Sequence, residues 1–115
     1  MKPRSAKNKG KKLQNELRDS ILKRFTELES DDVKSAVMGE SGVDIQLSPA
    51  ARRLVPYSFE CKSLAKFAFY KHMEQAESNA VQGTIPVVVA KANRKKPVAI
   101  VDLEHFLDLL KGEKK

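Results

Sequence analysis

The sequence predicts an α/β domain, a mixed sheet flanked by helices, in the order helix, three strands, helix, strand, strand, helix. Two observations carry this. Apolar residues switch between a helical spacing of three and four and the alternation of strands. A three-strand meander followed by a crossover helix and a further strand gives a mixed sheet with helices on both faces.

From Lys11 to Glu29, Leu13, Leu17, Ile21, Phe25 and Leu28 recur at spacings of three and four, which predicts an amphipathic helix. Val33 to Met38 is a short first strand. In Val43-Asp44-Ile45-Gln46-Leu47 apolar and polar residues alternate, so Asp44 and Gln46 share the polar face of a half-buried strand. Ser48-Pro49 has the form of an N-cap followed by proline at the first helical position, opening a helical turn over Ala50–Leu54 that Pro56 ends. The third strand, Tyr57 to Cys61, turns Tyr57, Phe59 and Cys61 inward and Ser58, Glu60 and Lys62 the other way. Ser63 caps a long helix to about Ala80, with Leu64, Phe67, Ala68 and Ala76 packing, and Gln82-Gly83 breaks it. Ile85–Ala90 is a buried strand, Asn93-Arg94-Lys95-Lys96 a basic turn and Val98–Val101 a last strand. A C-terminal helix runs from Leu103 to Leu110.

At 115 residues the chain makes one domain and buries roughly two-thirds of its unfolded surface. Hydrophobic residues are 41% and charged residues 32%, and no apolar run reaches the ~20 residues that span a bilayer. The N-terminus is too polar for a signal peptide. A single cysteine, Cys61, excludes an internal disulfide and fits a reducing cytoplasm. Net charge is +7, and residues 1–12 hold six Lys/Arg and no acid, leaving 16 basic and 15 acidic residues elsewhere. Residues 1–10 read as a basic disordered arm and 11–115 as the folded domain; such arms bind polyanions, although a solubilising tail has the same composition. Further phosphate contacts are expected from Lys7, Lys9, Lys11, Lys12, the pair Arg52-Arg53 and the cluster Arg94-Lys95-Lys96. His72 and His105 with one Cys make no zinc pattern, and no phosphate-binding glycine loop is present, so no nucleotide cofactor is expected. Aromatic residues, at 6%, are too few for a base-stacking platform.

The chemistry concentrates between Ser41 and Lys62. Asp44 lies on one strand, and Glu60-Cys61-Lys62 ends the next, with Glu60 and Lys62 on one face. Two carboxylates hold a hard divalent cation through oxygen, and a neighbouring lysine orients water or neutralises a developing anion. The bland readings are a solvated Asp44 and a surface ion pair between Glu60 and Lys62. Cys61 points into the core, where a thiol is a small hydrophobe and no nucleophile.

Asp44 followed after fifteen residues by Glu60-Cys61-Lys62, with Gly42 ahead of Asp44, Gln75 on the following helix and Glu16 on the first, resembles the PD-(D/E)XK nuclease superfamily, its small phage and resolvase-like endonucleases in particular. The overlap runs from about Lys7 to the end. The resemblance implies a restriction-endonuclease-like αβββαβ core over 11–115. It implies a metal site of Asp44, Glu60 and the Cys61 backbone carbonyl, binding Mg²⁺ or its substitute Mn²⁺. Lys62 would be the catalytic lysine, and Glu16 would complete the acid cluster, with Glu40 as its competitor. Gln75 would orient water, Lys62 or a phosphate. The implied activity is metal-dependent endonuclease action on DNA, structure-selective in the manner of a Holliday junction resolvase, by a homodimer serving recombination or repair in a bacterium or phage-infected cell. The alternative is a non-catalytic nucleic-acid-binding protein on the same fold. The two differ in the acid pair, which repels phosphate unless a cation intervenes.

Overall fold

The computed structural model describes residues 3–37, 42–63 and 68–112. The elements are α1 (Pro3–Arg24), a 3₁₀ turn (Ser30–Asp32), β1 (Val33–Ser35), β2 (Ile45–Leu47), α2 (Pro49–Leu54), β3 (Tyr57–Ser63), α3 (Phe69–Asn79), β4 (Ile85–Lys91), β5 (Val98–Ile100) and α4 (Leu103–Lys111). The predicted order holds, and the fold is mixed α/β.

The strands form two ladders. β1 and β2 pair antiparallel, while β3, β4 and β5 make a three-stranded sheet with β3 parallel to β4 and β5 antiparallel to it. The expected continuous meander is therefore split. β2 begins at Ile45, not Val43, because Asp44 lies in a bend and its backbone N–H turns to the Phe59 carbonyl of β3 at 3.2 Å; that is the backbone link between the ladders among the described residues.

α1 is the wall both ladders share. Ile21 and Leu28 pack with Val33, Ile45, Ala51 and Val55 in one cluster, and Leu13 packs with Cys61, Val87 and Val89 in a second. Leu17, Tyr57 and Phe59 border both. On the opposite face of the sheet Val88 and Ala90 are buried beside Ala76 of α3.

Several boundaries move. α1 begins at Pro3, not Lys11, so most of the segment read as a disordered arm lies within the helix. Lys, Arg and Ala are strong helix formers, and proline suits the first turn. The same helix stops at Arg24, because the Phe25 N–H still bonds the Ile21 carbonyl but the Leu28 N–H closes a turn on Phe25, both at 2.9 Å. Phe25 and Leu28 thus reach the core from a turn. Asp32 holds the Glu29 N–H at 2.8 Å and starts the 3₁₀ turn. Ser63 is the last rung of β3, opposite Lys91, so it does not cap α3. The seven-residue β4 templates a seven-residue β3, and α3 starts at Phe69. Leu64 and Phe67 lie outside the described residues, Ala68 is exposed, and Ala76 is buried as expected. Met38 and Glu40 also fall outside them. The α2 cap forms as read: Ser48 Oγ accepts the Ala51 N–H at 3.1 Å and donates to Asp32 Oδ1 at 2.6 Å.

Candidate active site

β3 carries the site along its C-terminal half. Strand alternation sends Phe59 and Cys61 against α1 and Glu60 and Lys62 toward α3. The backbone N–H and C=O of Phe59 and Cys61 point to the edge that β2 leaves unpaired. Asp44, arriving on the turn before β2, fills that edge: its N–H bonds the Phe59 carbonyl, and its Oδ2 accepts the Cys61 N–H at 2.8 Å. The Cys61 carbonyl faces the same edge by strand geometry. Gly42, two residues earlier, has φ of 101°, a conformation side chains resist, and open space where a Cβ would stand. This conformation turns the chain so that Asp44 reaches β3.

Glu60 is 5% exposed and lies against Lys62, Nζ to Oε2 at 3.5 Å, while Asn79 of α3 donates to Oε1 at 3.5 Å. Asp44, Glu60 and Lys62 therefore sit together. Burial pushes the Asp44 carboxyl above its ordinary range, although the Cys61 N–H, Lys62 and Gln14 pull it down. Burial also raises Glu60, the Asp44 charge raises it further, and Lys62 and Asn79 oppose them. The Cys61 thiol is pushed up to about 12 by burial and by the two carboxylates, which leaves it an inert core group. His72 of α3 faces the same region; burial lowers its pKa, with help from the positive charges of Lys62 and Lys71.

The helix acid is elsewhere. Glu16 is exposed and lines a shallow groove of about 150 Å³ with Lys9, Lys12, Leu13, Lys91 and Asn93. The α1 residue that turns to the site is Gln14, two positions and about 200° away around the helix. Gln14 is 4% exposed, its side chain helps to lower the Asp44 carboxyl, and its Oε1 is buried without a partner among the described residues. An unmet buried acceptor costs about 1–3 kcal/mol. The sequence signal for Gln14 was a polar residue inside the Leu17–Ile21 stripe, at spacings of three and seven. Gln75 is exposed on the flank of α3, and Asn79, one turn on, is the amide that meets Glu60. Ser58 does not join the site; its Oγ contacts Thr84 Oγ1 at 2.6 Å and accepts the Val81 N–H at 3.0 Å, fastening the α3–β4 connection.

The expected phosphate contacts divide. Lys9 Nζ donates to Asn93 Oδ1 at 2.8 Å, joining the start of α1 to the β4–β5 turn. Lys9, Lys12, Lys91, Arg94, Lys95 and Lys96 thereby make one basic surface, at the end of the sheet where Lys62 pairs with Ala90. Arg94 holds φ of 63° within a turn closed by the Lys95 N–H on the Ala92 carbonyl at 3.1 Å. Lys11 departs from the set and donates to the Ala36 carbonyl at 3.2 Å. Arg52 is half-buried and donates to the Leu47 carbonyl at 2.7 Å, so it ties α2 to β2, while Arg53 is exposed on α2. Lys7 lies in the first turns of α1.

Among the described residues no three His, Cys, Asp or Glu side chains gather as a metal cluster; the acids at the site are the pair Asp44 and Glu60. No helix among them is long and apolar enough to cross a membrane. No family model matches the chain, and no curated protein or solved structure does either.

Proposed function

We propose that this chain is a metal-dependent DNA endonuclease of restriction-endonuclease-like fold, structure-selective and acting as a homodimer. The observation that carries the reading is the pairing of a half-buried carboxylate, Asp44, with a buried one, Glu60, beside Lys62 at the end of a sheet whose next turn is basic. Burial and mutual repulsion make this pair costly in the metal-free protein, and a cation offsets both. Oxygen-only donors suit Mg²⁺ or Mn²⁺, and the unpartnered oxygen of Gln14, a residue that acts on Asp44, fits the same preference.

Asp44 and Glu60, with the Cys61 carbonyl, would hold the cation, which supplies charge neutralisation at the scissile phosphate and an acidified water. The Cys61 N–H fixes the Asp44 carboxylate, and Asn79 steadies Glu60. Lys62 orients the water and offsets charge on the pentacovalent phosphorus. The basic surface of α1 and the β4–β5 turn carries the DNA backbone past the site.

The test is a cleavage panel of duplex, flap and four-way-junction DNA with Mg²⁺ or with EDTA. Incision that needs Mg²⁺ and favours branched DNA is expected. Binding of all three substrates without cleavage in Mg²⁺ or Mn²⁺ would support the alternative, a non-catalytic binder, which the basic surface alone could serve.

A further inference from the structure

We infer that the side-chain oxygen of Gln14 is the third side-chain ligand of a divalent cation held between Asp44 and Glu60. The inference rests on the metal-dependent reading and adds a residue to it. Gln14 is 4% exposed, its side chain helps to lower the Asp44 carboxyl, and its Oε1 has no partner among the described residues. Leu13 packs on Cys61, so Gln14 beside it brings its unmet oxygen to the same α1–β3 junction where Asp44 takes the Cys61 N–H. A divalent cation with oxygen ligands satisfies both. Asp44 is already fixed by the Cys61 N–H and Glu60 by Lys62 and Asn79, so the donors are held before the ion arrives.

An amide in place of an acid has a consequence. A third carboxylate here would add to the repulsion that already raises Glu60. Gln14 provides an oxygen without a charge, which keeps the metal-free chain foldable and holds the ion more weakly than three acids would, since ligand charge count sets affinity.

The experiment titrates Mn²⁺ into the full chain and reads the free-ion signal by electron paramagnetic resonance, with thermal unfolding in EDTA as the folding control. Four proteins are compared: wild type, Asp44→Asn, Gln14→Met and Gln14→Glu. Asp44→Asn should remove the bound ion, which locates it. Gln14→Met keeps the volume but lacks the oxygen, and should weaken Mn²⁺ binding about tenfold or more. Gln14→Glu should bind about tenfold more tightly while unfolding at a lower temperature in EDTA. A folded Gln14→Met protein that binds Mn²⁺ as wild type does overturns the inference, with the nuclease reading intact. Should Gln14→Met not fold, Gln14→Glu decides, and binding no tighter than wild type overturns it. A wild type that loses Mn²⁺ on Gln14→Met but cuts no DNA leaves the inference standing and removes the nuclease reading. A wild type with no Mn²⁺ that Asp44→Asn can remove sinks both.

Discussion

Asp44 and Glu60 pose the sharpest residue-scale question, because the two carboxylates that would hold a cation repel each other when none is present. Asp44→Asn and Lys62→Ala should each lower cleavage about 100-fold or more, the scale of losing one charged group aimed at the transition state. DNA binding should persist, and with Asp44→Asn tighten, since a negative charge facing phosphate is gone. Glu16→Gln should cut at the wild-type rate, because Glu16 lies in the groove with Lys9 and Lys12 and away from the site. An Asp44→Asn protein that still cuts normally would remove the metal-site claim. The pH dependence follows from the raised Asp44 and Glu60 carboxyls. The folded state holds these protons more tightly than the unfolded one, so stability falls as pH rises from about 4, the ordinary carboxylate value, through the raised ones. In EDTA, Asp44→Asn should therefore melt higher than wild type near neutral pH, and the gap should close toward pH 4. Equal melting curves at both pH values would mean that Asp44 is not desolvated. Alternation made Glu60 and Lys62 legible, because it fixes faces without knowledge of the fold; Asp44, expected on a strand face, instead reaches β3 from the bend before β2. The sequence did not separate Glu16 from Gln14. An acid on a helix resembles a ligand, whereas an amide in an apolar stripe declares itself only when its neighbours are placed.

Among the elements, the β4–β5 turn and the start of α1 belong to one surface, joined through Lys9 and Asn93. Arg94 occupies the left-handed region, which costs an ordinary residue roughly 1–2 kcal/mol. Arg94→Gly should thus stabilise the protein by up to about 1 kcal/mol while weakening DNA binding. A variant that gains stability and loses no affinity would make the turn a strained loop and nothing more. Deleting residues 1–10 removes Lys2, Arg4, Lys7 and Lys9, four of the seven net positive charges. Each lost phosphate contact should flatten the slope of log K against log salt by about 0.9 on duplex DNA. An unchanged slope would show the segment to be passive. Element order was readable because each helix and strand carries its own period, and Ser48-Pro49 announced α2 without ambiguity. Ends were less readable: Ser63 has a capping residue's chemistry, yet a seven-rung ladder to β4 keeps it in the strand.

At the scale of the molecule the two ladders meet through α1, through the Asp44 bonds to Phe59 and Cys61, and through Tyr57 and Phe59, which border both clusters; their separation is one that periodicity cannot express, because it depends on which short strands find partners. The C-terminal end is the less finished part of the fold. α4 has no buried residue; it is held by its Asp102 cap and by His105, whose Nε2 meets the Tyr57 hydroxyl at 2.8 Å. Leu103, Phe106, Leu107, Leu109 and Leu110 are 45–69% exposed, and Phe69, Tyr70 and Leu103 border a neighbouring groove of about 610 Å³. One packing face would not need so many apolar side chains, and contiguous exposed apolar surface marks an interface. A junction-cutting enzyme makes two symmetric incisions, and a two-fold dimer provides the second site and doubles the basic surface. Light scattering at micromolar concentration should accordingly give twice the 12.9 kDa chain mass. Phe106→Glu combined with Leu110→Glu should return the monomer, with the helix content of the wild type by circular dichroism. The same measurements with four-way DNA decide whether the dimer or the branch brings two sites together. A protein that stays monomeric with and without DNA, yet cuts, would be a nicking or trimming nuclease in place of a resolvase, and the apolar face of α4 would need another partner.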